Sequence, residues 1–453
     1  MNRNDYSKGN VKALITRLAM PMIMAQLVNA LYNTVDRMFI GRIEGVGGLA
    51  MSGVTLAFPI IIIVSAFALL FGMGGAPLTS ISRGEGRNDY AERVLGNSFV
   101  MLMISGVVLT IAGLLLKGPL LYLFGANTHT ISYAEDYLGI YLMGTMFVMV
   151  TLGLNPFINA QGFTRVGMAS VAIGAVLNVA LDPLLIFTFG MGVRGAALAT
   201  VISQAVSSIW ILLFLCSDRA ILRIKRENLR INGPILRRTV MLGLSNFTMR
   251  CTECAVQIVC NRVAAGFDST GMYVAVMGII SSIRQISMLL LNGFVQGFMP
   301  VVGYNYGAKL YARVRECIKF TTLVCFIFAV ICSALILLFP GALVRLFTTD
   351  EALIALTIPA VRIYFCGFSF LFMQMAGQQS FVALGKSRQA IFFSLLRKAF
   401  IVVPLTLILP RFIGVNGIFW AEVVSDVVGS SACFITFMLT VYRKELMTDP
   451  LAP

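Results

Sequence analysis

The chain has 453 residues, 58% of them hydrophobic and 12% charged, and a formal net charge of +15; its mean hydropathy is +0.87. This balance excludes a chain of two or three soluble domains and marks an integral membrane protein. The single histidine, His129, falls in a predicted outer loop, which leaves no basis for a His-based catalytic or zinc centre.

Apolar stretches of about 20 residues or more, each able to cross ~30 Å of hydrocarbon as a helix, recur along the whole length. Twelve are predicted, at 13–40, 46–73, 94–117, 133–158, 168–189, 195–217, 236–263, 270–297, 317–340, 353–383, 390–410 and 414–441. The first lacks the short core and small-residue cleavage site of a signal peptide, so it is predicted to be retained. Lys and Arg concentrate in alternate loops. Arg3, Lys8 and Lys12 precede helix 1, Arg83 and Arg87 follow helix 2, Arg165 follows helix 4, and Arg219 to Arg238 follow helix 6. Lys309, Arg313 and Arg315 follow helix 8, Lys386 and Arg388 follow helix 10, and Arg443 and Lys444 close the chain. The opposite loops hold fewer, such as Arg42, Lys117, Arg194, Arg345 and Arg411. The bias predicts cytoplasmic termini, and contact with anionic lipid accounts for the net charge without a nucleic-acid partner.

In helix 1, Asp36 lies one turn beyond Tyr32, and Pro21 marks a potential kink. An isolated carboxylate at the centre of a membrane helix costs about 2.5–3.5 kcal/mol, so it needs a partner, water or a proton. Arg37 is no natural partner, because adjacent residues point about 100° apart, and it is predicted to snorkel toward the outer interface. In helix 5, Asn178 and Asp182 share a face, and Pro183 removes a backbone donor just after the acid. Helix 6 offers Thr200 and Ser203. Together these residues form a hydroxyl, amide and double-carboxylate cluster. Two carboxylates close together in an apolar medium resist ionising together, which suits a proton carrier. Two simpler readings remain open: hydration of Asp36 near a helix end, and capping by Asp182 of backbone groups freed by the proline.

In helix 7, Glu253 has Arg250 one turn away, so a structural ion pair competes with an ion-binding role. Cys251 and Cys254 form a CxxC, but no second Cys or His cluster accompanies it, and the cysteines read as packing residues. Helix 12 carries Glu422 and Asp426.

The second half repeats the first. One constant offset places Pro77 on Pro300, Gly84 on Gly307, Leu123-Phe124 on Leu346-Phe347, Tyr141 on Tyr364, Gly144 on Gly367, Gly162 on Gly385 and Arg165 on Arg388. With small insertions, DRMFIG at 36–41 falls on NRVAAG at 261–266. Six helices per repeat send both halves into the membrane from the same side. The predicted fold is therefore an all-α integral membrane protein, with twelve transmembrane helices in two parallel six-helix bundles related by a pseudo-two-fold axis along the membrane normal. Residues 1–217 form the first bundle, 218–234 a basic cytoplasmic linker, and 235–453 the second bundle. Such a duplication suits alternating access. No GxxxxGK[ST] motif occurs, so ATP is not an expected partner and gradient coupling is the expected energy source.

The stretches LAMPMIMAQLVNALYNTVDRMFIG, LNVALDPLLIF, GVRGAALAT and PVVGYNYGAK resemble the multidrug and toxic compound extrusion (MATE) family, closest to its DinF-type bacterial exporters. The resemblance implies a secondary antiporter of the bacterial inner membrane. It would act without enzymatic activity or cofactor, exchanging small organic, chiefly cationic and amphipathic compounds for H+ or Na+. It implies a coupling-ion site at Pro21, Tyr32, Asp36, Asn178, Asp182 and Thr200, with Pro21 as the helix-1 kink and Na+ as a possible occupant at Asp36 and Asp182. No resident metal is implied, and a monomer in the lipid bilayer is expected. NorM-type relatives imply a secondary ion site at Glu253, but helix 10 here lacks the acid that would complete it. A lipid-precursor flippase of the same superfamily, or a membrane scaffold or receptor without transport, are the competing readings.

Overall fold

A computed structural model describes residues 5–43, 45–267 and 271–447, and among them every regular element is helical. Arg3 and residue 270, the predicted start of helix 8, lie outside these residues. Twelve long helical spans follow in order. They are α1 (Val11–Gly41), α2 (Gly47–Gly84), α3 (Asn88–Leu123), α4 (Ile131–Met143 plus Thr145–Ala160), α5 (Thr164–Thr188), α6 (Gly192–Cys216), α7 (Gly233–Ala265), α8 (Met272–Gly307), α9 (Tyr311–Leu338), α10 (Glu351–Ala383), α11 (Ser387–Ile413) and α12 (Asn416–Leu446). In hydrocarbon every backbone N–H and C=O must be paired within the segment, which is why uninterrupted apolar runs become helices. Ten spans, and the bent α4 as an eleventh, are long and apolar enough to cross a membrane. The remaining one, α7, matches them in length but carries Arg237, Arg238, Arg250, Glu253 and Arg262.

Side-chain caps start several helices. Asn10 Oδ1 accepts the N–H groups of Lys12 and Ala13 ahead of α1, and Asp350 Oδ1 accepts that of Ala352 ahead of α10; each satisfies donors that the first turn leaves unpaired. The repeated glycines have matched structural reasons. Gly162 and Gly385 both take left-handed backbone conformations, φ 91° and 75°, at the turns that close α4 and α10. Gly144 sits at a 59° bend in α4, and Gly367 interrupts α10 with a short 3-10 turn. A Cβ at Gly144 would come within 2.5 Å of Val201 Cγ2, and one at Gly367 within 3.1 Å of Val423 Cγ1.

The described chain divides into two compact units, one within residues 20–243 and the other made of residues 5–19 with those described between 244 and 447. In the first, α2 packs on α3 and α4, α4 on α6, and α5 on α6. The basic segment 218–234 belongs to this unit. Leu222 N–H donates to Gln161 Oε1 at 2.8 Å, and Lys225 pairs with Glu92 at 2.7 Å. Arg83, predicted in the loop after helix 2, is instead buried in the last turn of α2, with its guanidinium donating to Ala160 O at 2.7 Å.

In the second unit, α8 packs on α9 and α10, α9 on α10, and α11 on α12, around a core that includes Val256, Ile280, Val361, Phe365, Phe368 and Phe419. Residues 5–19 are held there by Arg313, which donates to Tyr6 O at 3.0 Å and Gly9 O at 2.9 Å. Helix α1 is thus shared between the units. It runs unbroken through Pro21, and the division falls between Ala19 and Met20.

Candidate coupling-ion site

The first unit brings together the acids that sequence spacing singled out. Asp182 is wholly buried in α5, and Pro183 follows it. The missing proline N–H loosens the helix there, and the backbone widens into a π turn over Leu184–Thr188. Asn178, one turn earlier and 1% exposed, points its amide both ways: Nδ2 stands 3.4 Å from Asp182 Oδ1 and 3.4 Å from Thr200 Oγ1. Thr200 donates its hydroxyl to Ala196 O at 3.1 Å and so presents its lone pair to the amide. Asp36, half-buried on α1, faces the Asp182 carboxyl within hydrogen-bonding reach. Tyr32 lies one turn earlier on α1, half-buried and close to both acids.

Asp36 Oδ1, Asp182 Oδ2 and Asn178 Oδ1 are buried without a hydrogen-bond donor. Leaving such oxygens unmatched costs free energy, more when they carry charge. A proton shared by the two carboxyls supplies a donor. A small hard cation is the other solution, since carboxylate, amide and hydroxyl oxygens are its natural ligands. Among the described residues no group of three or more His, Cys, Asp or Glu gathers as a metal site. Arg37 is exposed, with its guanidinium over the Phe58 ring at 5.4 Å. Ser203 is buried with its hydroxyl unpartnered.

Sequence reasoning missed two members of this site. Tyr137 and Tyr141 on α4 are both 5% exposed, and their rings stack at 6.3 Å. Tyr137 reaches Thr200 and faces Asp36. The spacing of four was a signal: two tyrosines on one face of an apolar helix bring two hydroxyls that must find partners.

The second unit differs. Glu253 is exposed on α7 and, among the described residues, makes no ion pair within 4.0 Å, so the Arg250 pairing that competed with an ion-binding role does not form. Cys251 and Cys254 are free thiols. In α10 a buried amide pair takes the place of an acid: Gln374 donates to Gln378, which reaches Ser245 Oγ at 3.4 Å. Glu422 and Asp426 are buried among three cations, Arg284, Arg397 and Lys398. Those cations were legible by the rule that found the acids, an ionisable residue inside an apolar run.

The family model described as MatE matches residues 21–184 and again 247–408, one copy per half. The chain belongs to the MATE family. It is 26% identical over 453 residues to the multidrug export protein MepA of Staphylococcus aureus, covering 98% of this chain and 97% of that protein. It is 25% identical to MepA of Staphylococcus saprophyticus over the same shares. In fold it superposes on an outward-facing multidrug resistance MATE transporter with a TM-score of 0.91 at 22% identity, covering 98% of each chain. On a MOP superfamily transporter from Pyrococcus furiosus, described by the reversed polarity of its binding pocket, the TM-score is 0.90 at 23% identity, covering 97% of this chain and 98% of that one. This MATE protein therefore shares the twelve-helix, two-lobe fold of those transporters.

Proposed function

We propose that this MATE protein is a secondary active antiporter that exports small organic compounds, chiefly amphipathic cations, in exchange for H+ or Na+ by alternating access. One observation carries the coupling: Asp36 on α1 and Asp182 on α5 present facing carboxyls whose buried oxygens lack donors. The MepA relatives, named multidrug export proteins, support export as the direction of transport.

In the outward-open state the facing carboxyls take up the ion. Neutralised, they no longer repel each other, and Asn178 and Thr200 hold the pair in place. Closing α1 over the site uses the gap in its hydrogen-bond ladder at Pro21. The substrate leaves as the ion binds, and the ion leaves on the cytoplasmic side before the next substrate enters. Each inward charge supplies about 2.3 kcal/mol at ~100 mV. For a monovalent cationic drug, one-for-one exchange is electroneutral and driven by the ion gradient alone. The excess of Lys and Arg in alternate loops supports a bacterial inner-membrane protein with both termini facing the cytoplasm, and a monomer is the proposed working unit.

The test is efflux of a fluorescent cation from vesicles under separately imposed pH and sodium gradients. Efflux driven by one of them supports antiport. No response to either, with translocation of a lipid-linked precursor instead, would overturn it in favour of a flippase.

A further inference from the structure

Five ionised side chains meet inside the second unit. Asp426 receives Arg284 through both carboxylate oxygens at 3.1 Å and Arg397 Nη1 at 2.9 Å. Glu422 Oε1 receives Lys398 Nζ at 2.6 Å and Arg284 Nη2 at 3.0 Å, while Arg397 Nη1 waits at 3.8 Å. The side chains are 0% exposed for Asp426, 4% for Glu422, 6% for Arg397, 8% for Lys398 and 13% for Arg284. Three cations thus share two anions, so the cluster carries one positive charge in excess, in a medium where an uncompensated charge is expensive.

Only one member can discharge that excess. A guanidinium does not lose its proton in a protein, and each carboxylate is held by at least two cations. Loss of the Lys398 proton leaves two arginines and two carboxylates in balance. Glu422 is not orphaned by it, because Arg284 already binds Glu422 and Arg397 stands within reach. Among the described residues, Glu253 and Cys260 on α7 also face Lys398, and Tyr364 on α10 lies against its neighbour Arg284. Glu253 is exposed and acts on Lys398 only at long range. Cys260 lies 3.9 Å from Thr406, and Tyr364 is hydrogen-bonded to Arg284 at 3.3 Å. The backbone fits a working site: Arg397 and Lys398 ride on a π-helical stretch over Leu396–Val402, and Asp426 on another over Ser425–Gly429.

We propose that Lys398 is a second proton carrier of the transport cycle, taking one proton onto Nζ from the outside and releasing it to water on the cytoplasmic side. This rests on the antiport reading above and deepens it, because the carboxylate site and Lys398 then each contribute to the proton count. In the loaded state Nζ donates to Glu422. In the empty state Arg397 closes the distance to Glu422 in its place.

The experiment measures the number of protons moved per ethidium ion in proteoliposomes of the full-length chain, from the membrane potential that nulls transport at a fixed pH difference. Lys398→Met removes the excess charge and leaves a balanced network, so it is expected to fold, to export ethidium and to move one proton fewer than wild type. Lys398→Arg fixes the charge and is expected to lower the count by the same one proton wherever it transports. An unchanged proton count in Lys398→Met overturns the proposal, and so does a Lys398→Met protein that unfolds, since a purely structural cation predicts that loss. If wild type moves no proton with ethidium, both the proposal and proton antiport fail. If wild type is proton-driven, Asp36→Asn is uncoupled and Lys398→Met keeps the wild-type count, only the proposal fails.

Discussion

In α5 the Asn178 amide nitrogen lies 3.4 Å from Asp182 Oδ1, one helical turn away, and at the same distance from Thr200 Oγ1 on α6. One side chain therefore ties an otherwise donor-poor carboxylate to the neighbouring helix. Asn178→Ala takes away the donor and leaves a buried acceptor, a loss of about 1–3 kcal/mol. Thermal unfolding of the purified protein is expected at a lower temperature, and gradient-driven dye efflux at a several-fold lower rate. Unchanged unfolding and efflux would mean that the amide does not hold the site.

The glycine at the α4 bend is a packing requirement. A Cβ at Gly144 would press on the branched side chain of Val201, 2.5 Å away. Gly144→Ala is expected to destabilise by about 1–3 kcal/mol through overpacking. Adding Val201→Ala opens the space and should recover part of that loss, a coupling that a double-mutant cycle measures. Additive effects would show that the two residues do not press on each other.

Lys309, with φ 57°, holds a left-handed backbone conformation, and in the first repeat the corresponding position is Gly86, φ 76°. A non-glycine residue pays roughly 1–2 kcal/mol for that conformation. Lys309→Gly is expected to raise stability slightly or leave it level, the relief offsetting the added freedom of the unfolded chain. Substitution of Gly86 by Lys should lower it, and chemical denaturation of the two variants compares them.

At the amino-terminal segment, Asp5 accepts the Ser7 hydroxyl at 2.5 Å and its N–H at 2.9 Å, which holds the carboxyl below its ordinary value of 3.8. The sign follows directly: the contact stabilises fully above pH 3.8 and is lost as pH falls through the lower folded value. Limited proteolysis should therefore leave segment 5–9 protected at neutral pH. Arg313→Ala removes its bonds to Tyr6 O and Gly9 O and should expose the segment at neutral pH. Equal cleavage of wild type and variant would contradict this role for Arg313.

Much of this was legible in the sequence, because the bilayer leaves few choices. Runs of apolar residues gave the helices, and the matched pairs Gly144 with Gly367 and Gly162 with Gly385 gave the duplication. Asp36, Asn178, Asp182 and Thr200 were legible as costly polar groups on apolar helices. What escaped depended on contacts between helices. Tyr137 and Tyr141 look like ordinary apolar-face aromatics until α4 is packed on α2 and α6. The three cations around Glu422 and Asp426 are legible one by one as charges in apolar runs, Arg284 on α8 and the neighbours Arg397 and Lys398 on α11, but only folding shows that they share two acids. The role of α1 was hidden for a related reason: composition does not reveal that its first turns pack with the opposite unit to the one that holds Asp36.

The most direct measurement of the central claim is dye-cation efflux from proteoliposomes under an imposed coupling-ion gradient, comparing wild type with Asp36→Asn and Asp182→Asn. Each substitution replaces an ionisable carboxyl by a neutral amide of the same shape, so folding and dye binding should persist. Gradient-driven efflux should fall at least tenfold in both variants. Efflux that continues at the wild-type rate and keeps its dependence on the gradient in both variants would contradict the account.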